Sequence, residues 1–192
     1  MSHSGNDTTP EVSVRRSRID GLGLFSGRHF IANEIIRRVN VVRDVTSDAP
    51  LREDRGELLT HCAYPQGKVI LIGWPDRHVN HSCDPNAYEW ESNGGRYYRA
   101  LTDIRSGQEI TISYSVNTSN GTTWVCACGA GDCLQVVHGE YFDLPVAKQL
   151  EYLPLLSAWF VEAHRERIEA LRRANSIRVV PNQPARVSLR IP

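Results

Sequence analysis

From Val12 to Tyr114 the chain is a succession of short apolar or alternating runs, each closed off by turn residues. The β-prone stretches are 12–16, 22–26, 35–43 (IIRRVNVVR), 68–72, 86–91, 96–101 (RYYRAL) and 110–114 (ITISY). Asp20-Gly21, Gly67, Asn93-Gly94-Gly95 and Ser106-Gly107 separate them, and these are residues that turns require. The Asn-Gly-Gly between two alternating runs predicts an antiparallel hairpin. A helix is expected in this span only at 51–60 (LREDRGELLT), where Gly56 weakens it. Regular strand–helix alternation is missing, so a doubly wound sheet is excluded and a mainly β domain of small sheets is expected.

The pattern changes twice further on. Residues 115–140 are rich in Asn, Ser, Thr, Gly and Cys, and 145–173 is the one strong helical stretch. Pro154 cannot continue a preceding helix but suits a first turn, which predicts a break near 153. Leu155, Leu156, Trp159, Phe160 and Ala163 form an apolar stripe, with Glu162–Arg165 and Glu169–Arg173 as the solvated face. This reads as a helix that covers part of the β-core. The expected organisation is a disordered lead-in (1–11), a β domain (12–117), a cysteine-bearing segment (118–140), a C-terminal helical extension (141–175) and a tail (176–192).

Composition narrows the function classes. An apolar content of 41% in 192 residues supports a real core, and a net charge of zero gives no electrostatic case for nucleic-acid or membrane binding. No apolar run approaches the roughly 18 residues of a transmembrane helix. The N-terminal MSHSGNDTTPEVSV lacks the apolar stretch of a secretory signal, so an intracellular setting is expected: cytoplasmic in a bacterium, nuclear or cytoplasmic in a eukaryote. Five cysteines, an odd number without a secretion signal, argue against a disulfide framework.

Three stretches carry candidate chemistry. CACGAGDC (126–133) spaces three thiols as C-x-C-x4-C, which suits tetrahedral zinc with glycines easing the turn. A fourth ligand is needed; Cys83 is the natural donor, with Cys62, His138 and Asp132 as competitors. Gly21-Leu22-Gly23-Leu24-Phe25-Ser26-Gly27 contains G-x-G, but its third glycine falls one residue too late for the dinucleotide fingerprint and no helical pattern follows. It is either a loop where backbone approaches a ligand or a tight turn. RHVNHSCDPN (77–86) crowds amide, imidazole and thiol groups around an Asp-Pro turn.

Taken in order, GLGLF, RHVNHSCDPN, ALTDIRSGQEITISY and WVCACGAGDC resemble the SET-domain protein methyltransferases, including their zinc-binding post-SET segment. The likeness spans residues 12 to 135. It implies a β-clip fold of small curved sheets, with the NHSCDPN and Tyr114 segments crossing as a pseudoknot. It also implies S-adenosyl-L-methionine as cofactor, a structural Zn²⁺ and methyl transfer to a lysine amine of a protein or peptide. By position in the family pattern, Asp20, Gly21, Leu22, Gly23, Asn80, His81, Tyr114 and Trp124 would contact the cofactor. Cys83 would complete the metal site with Cys126, Cys128 and Cys133, and Tyr114 would be the active-site tyrosine. A small-molecule amine substrate, or a module that binds peptide without catalysis, are the competing readings.

Two departures bear on the substrate channel. The stretch after Ile36 lacks the usual Tyr-x-Gly-Glu, and Ile112 stands where an aromatic residue is common two before the tyrosine. Tyr88, Tyr97 and Tyr98 are explained equally well as channel walls or as sheet packing. No Asp or Glu in these motifs is an evident base, so proton loss from the amine to water is expected.

Overall fold

The computed structural model describes residues 11–178, so nearly all of the expected lead-in and most of the tail lie outside the described residues. The chain separates into two compact units, one through Ser157 and one from Ala158 onward. The first holds β1 (Val12–Arg16), β2 (Leu22–Ser26), β3 (Ile35–Arg38), β4 (Val41–Val45), β5 (Cys62–Ala63), β6 (Val69–Ile72), β7 (Asn80–His81), β8 (Ala87–Ser92), β9 (Gly95–Ala100), β10 (Thr111–Ile112), β11 (Ser119–Val125) and β12 (Val136–Glu140).

These strands make small sheets of two or three strands each. β1–β2, β11–β12, β3–β9–β8 and β4–β6–β5 are antiparallel throughout, while β7 and β10 pair in parallel. The Asn-Gly-Gly hairpin forms as its residues demand. Asn93 and Gly94 take φ of 48° and 71°, and Ser92 lies opposite Gly95. Leu24, Phe30, Ile104 and Ile110 are wholly buried at the centre, joined by Ile36, Ile70, Ile72, Val79 and Ile112. Each such side chain contributes about 1.5–3 kcal/mol by leaving water.

The run 35–43 is not one strand. It bends at Val39-Asn40 and delivers β3 and β4 to different sheets. The cause is a buried carboxylate some forty positions away. Asp76 accepts the Asn40 N–H at 2.9 Å and pairs with Arg37 Nε at 2.7 Å, while Asn40 Nδ2 donates to the Trp74 carbonyl at 3.0 Å. Burial pushes the Asp76 carboxyl above its ordinary value even though Asn40 and Arg37 pull it down.

The stretch 51–60 forms two 3-10 turns, Glu53–Arg55 and Leu59–His61, instead of a helix. Gly56 ends the first at φ 73°, a conformation that removes the chain from helical register. Helix α1 (Val146–Tyr152) and a 3-10 turn over Leu153–Leu155 close the first unit, with the break falling at Pro154 as expected. The second unit contains α2 (Ala158–Ala163) and α3 (Arg165–Arg178). Both expected ion pairs are present there, Glu162–Arg165 at 2.5 Å and Glu169–Arg173 at 3.4 Å. The buried stripe is narrower than the sequence predicts: Phe160 and Ile168 are buried, Trp159 is half-buried and Ala163 is exposed.

β7 and β10 bring the NHSCDPN segment alongside 109–114, with Asn80 opposite Thr111 and His81 opposite Ile112. The ladder continues through the Ser82 N–H to the Ile112 carbonyl at 2.9 Å. The Asn86 side chain serves the other edge of the 109–114 segment, through backbone groups that do not face β7. Its Nδ2 donates to the Glu109 carbonyl at 2.7 Å and its Oδ1 accepts the Thr111 N–H at 3.0 Å. Asn86→Ala strands both backbone groups and is expected to lower stability by about 2 kcal/mol. Denaturant unfolding measures this, and an unchanged midpoint would refute the role.

Candidate active site and metal centre

The glycine loop meets the crossing through side-chain amides and carboxylates. Asn80 Nδ2 lies within hydrogen-bond reach of the Asp20 carbonyl at 3.2 Å, the Leu22 carbonyl at 3.1 Å and Glu109 Oε1 at 2.8 Å. Glu109 Oε2 accepts from the Ser17 hydroxyl at 3.0 Å, and Ser17 Oγ in turn accepts the Ile19 N–H at 2.8 Å. The Glu109 carboxylate therefore holds Ser17 at the start of the loop and Asn80, and Asn80 in turn reaches the carbonyls of Asp20 and Leu22. The two glycines serve different needs. Gly21 turns the loop at φ 42°, while a Cβ on Gly23 would fall 2.2 Å from Glu109 Oε1. Sequence reasoning quoted Glu109 only as a letter of a pattern, because its role depends on which loop faces it.

Tyr114 follows β10 directly. Its hydroxyl donates to the Val79 carbonyl at 2.5 Å, which aims the phenol back across β7. Tyr114 is 40% exposed and borders open space. Burial, with the charges of Asp20, Glu89 and Glu109 adding to it, pushes the phenol pKa well above its ordinary value. His81 stands beside it, buried, with Nδ1 accepting the Tyr114 N–H at 3.1 Å. Trp124, carried on β11, completes a three-ring cluster. Ring centroids are 5.4 Å apart for His81–Tyr114 and His81–Trp124, and 5.9 Å for Tyr114–Trp124.

Cys83, Cys126, Cys128 and Cys133 gather with their sulfurs all within 4.8 Å of one another. The Cys83–Cys126 separation is 3.8 Å, which matches the edge of about 3.8 Å that a tetrahedron of about 2.3 Å Zn–S bonds requires. Backbone N–H groups of Leu134 and Gln135 reach Cys83 Sγ at 3.5 Å and Cys133 Sγ at 3.4 Å. The competitors for the fourth place are engaged elsewhere. His138 Nδ1 contacts Thr123 Oγ1 at 3.2 Å, Asp132 pairs with Lys148 at 2.6 Å, and Cys62 Sγ lies 3.7 Å from the Leu58 carbonyl. Burial pushes the Cys83 thiol up to about 11 and Cys126 higher still. At Cys128 burial is outweighed by backbone hydrogen bonds and the neighbouring thiols, which hold it at about 7. Four thiols so placed cannot all ionise without a cation among them, so the set fits a metal. Helix α1 secures both halves of the cluster, through Lys148 to Asp132 and through the Tyr152 hydroxyl to the Cys83 carbonyl at 2.8 Å.

Asp20, Leu22, Asn80, His81, Tyr114 and Trp124 all line one cleft of about 700 Å³, together with Tyr64, Glu89, Tyr98 and Ile112. Gly21 and Gly23 shape its edge through the loop instead of lining it. Of the tyrosines read from sequence as wall or packing, Tyr98 is buried and lines the cleft, its hydroxyl donating to the Asp76 carbonyl at 3.3 Å. Tyr97 packs against Trp90 across β8–β9 with centroids 5.7 Å apart. The wall formed by Leu59–Pro65 was not anticipated, since the sequence there carries no chemical pattern.

The model of the SET domain matches residues 21–115, from the glycine loop to the residue after Tyr114. Residues 21–115 of this chain are a SET domain. Relatives include the human histone-lysine N-methyltransferase, H3 lysine-36 specific, 32% identical over 160 residues, or 73% of this chain. A second is the H3 lysine-36 specific enzyme of Eremothecium gossypii, 28% identical over 146 residues. This chain spans 6% and 21% of their lengths, respectively. Among solved structures, that of a candidate histone methyltransferase of Plasmodium falciparum is 26% identical with a TM-score of 0.44, covering 54% of this chain and 92% of that one. Cys83 lies inside the matched SET domain, whereas Cys126, Cys128 and Cys133 follow it.

The purified SET-domain chain is expected to hold about one zinc per chain. Cys83→Ser should lower the metal content and the unfolding temperature together, because the ligand set loses a member. Elemental analysis with thermal unfolding checks this. Full zinc occupancy in that variant would place the fourth ligand elsewhere.

Proposed function

We propose that this chain is a protein-lysine methyltransferase that uses S-adenosyl-L-methionine and carries one structural zinc. The observation that carries the reading is the Tyr114 hydroxyl, held by the Val79 carbonyl in the same cleft that Asp20, Leu22, Asn80, His81 and Trp124 line. A volume of about 700 Å³ with a mixed aromatic and polar lining suits a cofactor and a side chain together. The carboxylates of Asp20, Glu89 and Glu109 near Tyr114, with the ring faces beside them, favour a cation such as the cofactor's sulfonium. The histone-directed relatives support a lysine of a protein, a histone among the class, as acceptor and an intracellular setting. Among the described residues no helix is long and apolar enough to cross a membrane.

S-adenosyl-L-methionine, when bound, supplies a methyl group activated on sulfur. The reaction is an in-line displacement: the nitrogen–carbon bond forms, the sulfur–carbon bond breaks, and the sulfonium becomes a neutral thioether. Alignment therefore supplies most of the acceleration. Tyr114 commits its hydroxyl hydrogen to Val79, so its oxygen faces the cleft as an acceptor and orients an N–H of the amine. It does not serve as the base, because burial keeps the phenol protonated far above neutral pH. The amine proton leaves to water. The wall of Tyr98 and Ile112 disfavours a charged ammonium by keeping water away from it.

Calorimetry with S-adenosyl-L-methionine tests the first step, and absence of binding sinks the proposal. Tyr114→Phe should lower kcat by about 100-fold or more while the cofactor dissociation constant stays close to that of the parent. Turnover equal to the parent would remove the tyrosine from the mechanism. A separate expectation concerns pH. Turnover should climb between pH 6 and 9 as the neutral fraction of an amine with pKa near 10.4 grows. Tyr114, held protonated by burial, adds no second limb in that range, and a descending limb below pH 9 would contradict its assigned state.

A further inference from the structure

The His81 side chain touches both the cysteine cluster and Tyr114. Its Nδ1 accepts the Tyr114 N–H at 3.1 Å, and its Nε2 lies 3.4 Å from Cys83 Sγ. The first contact decides the second. A ring nitrogen that accepts a hydrogen bond carries no hydrogen, so in the neutral ring the proton sits on Nε2 and points at the sulfur. His81 is 5% exposed, with the Tyr114 ring beside it tilted at 58° and the Trp124 ring edge-on at 87°. Trp124 is itself two residues from Cys126, so the residues flanking the ring on this side also answer to the cluster.

We propose that His81 is a positioning residue that ties the metal centre to the active-site tyrosine, donating from Nε2 to Cys83 Sγ and accepting the Tyr114 N–H at Nδ1. The proposal rests on the zinc and Tyr114 readings above. It goes beyond a cofactor-side role for the Asn-His pair, because the imidazole faces a metal ligand on one side and a backbone amide on the other. A thiolate held by a cation accepts such a hydrogen bond well, and the bond fixes the ring plane and with it the direction of the Tyr114 amide. The metal centre thereby sets the seat of Tyr114 as well as the fold of the loop that carries Trp124. No proton moves along this path; the ring works through its fixed tautomer.

Two measurements test it. In the zinc-loaded chain, two-bond nitrogen–proton correlation spectra of the His81 ring should show hydrogen on Nε2 and none on Nδ1. The opposite tautomer overturns the proposal. Side-chain amides then separate the two contacts, since the Asn amide reaches about where Nδ1 sits and the Gln amide about where Nε2 sits. H81N should retain an acceptor for the Tyr114 amide and lose the donor to sulfur. Zinc affinity then falls about 10–100-fold and the visible bands of the cobalt-substituted chain shift. H81Q should leave the cobalt spectrum near that of the parent, move the Tyr114 amide proton resonance, and lower kcat by about tenfold at nearly constant KM for the cofactor. Parent-like zinc affinity and cobalt bands in H81N refute the link to the metal. An unmoved Tyr114 amide in H81Q refutes the link to the tyrosine. The spectra are read without substrate, so a parent chain that fails to bind S-adenosyl-L-methionine sinks the methyltransferase reading and leaves this test intact. Thermal unfolding of each variant identifies one that does not fold, and the tautomer of the parent ring still decides.

Discussion

Everything in the first unit depends on the crossing of residues 80–86 with 109–114. Two segments that pass each other at the middle of a domain bury backbone polar groups that no continuous sheet can satisfy. β7 and β10 supply only a two-residue ladder, and side chains finish it. Asn86 satisfies the Glu109 carbonyl and the Thr111 N–H, Asn80 gathers the carbonyls of the glycine loop, and His81 takes the N–H of Tyr114. The polar crowding that makes this segment unlike a core strand is the hydrogen-bond requirement of the crossing.

The same requirement explains why the residues proposed for the cofactor, the tyrosine and the metal fall within a few positions of one another in β7 and the turn after it. Alternation in β7 sends Asn80 toward the glycine loop and His81 toward the rings of Tyr114 and Trp124. Cys83 then leaves the ladder, and its sulfur meets three cysteines that begin 43 residues later. The cleft lies between these commitments. The residues around it are tied to different elements: Tyr114 to Val79 and Asn80 to Glu109 in the cleft itself, and behind them the Cys83 carbonyl to Tyr152 of α1.

Much of this was legible as pattern. The hairpin at Asn93-Gly94, β1, β2, β6, β8 and β9 lie close to where alternation and turn residues place them. So does the break at Pro154. The spacing of Cys126, Cys128 and Cys133 marks a metal site and ligand count calls for a fourth donor, but spacing alone left Cys83, Cys62, His138 and Asp132 in competition, and the family resemblance pointed to Cys83. Other elements carried no signal. β11 is exposed at most of its positions and so shows no apolar alternation, while β5, β7 and β10 have two residues each, too short for any period to register. The split of 35–43 was invisible because Asp76, which makes it, is distant in sequence.

The amino-acid sequence by itself determined much of the local conformation and the chemical inventory: which turns form, which three closely spaced thiols can share a metal, and which tyrosine ends the ITISY run. These depend on φ preferences, side-chain periodicity and ligand chemistry, all of which act over a few residues. The tertiary structure alone decided the pairings at a distance. Glu109 on the glycine loop, Asp76 at the β3–β4 corner, the Leu59–Pro65 wall of the cleft and His81 between Cys83 and Tyr114 are of this kind. In each case a buried polar group takes the partner that the packing brings within reach, and only the folded chain determines which partner that is.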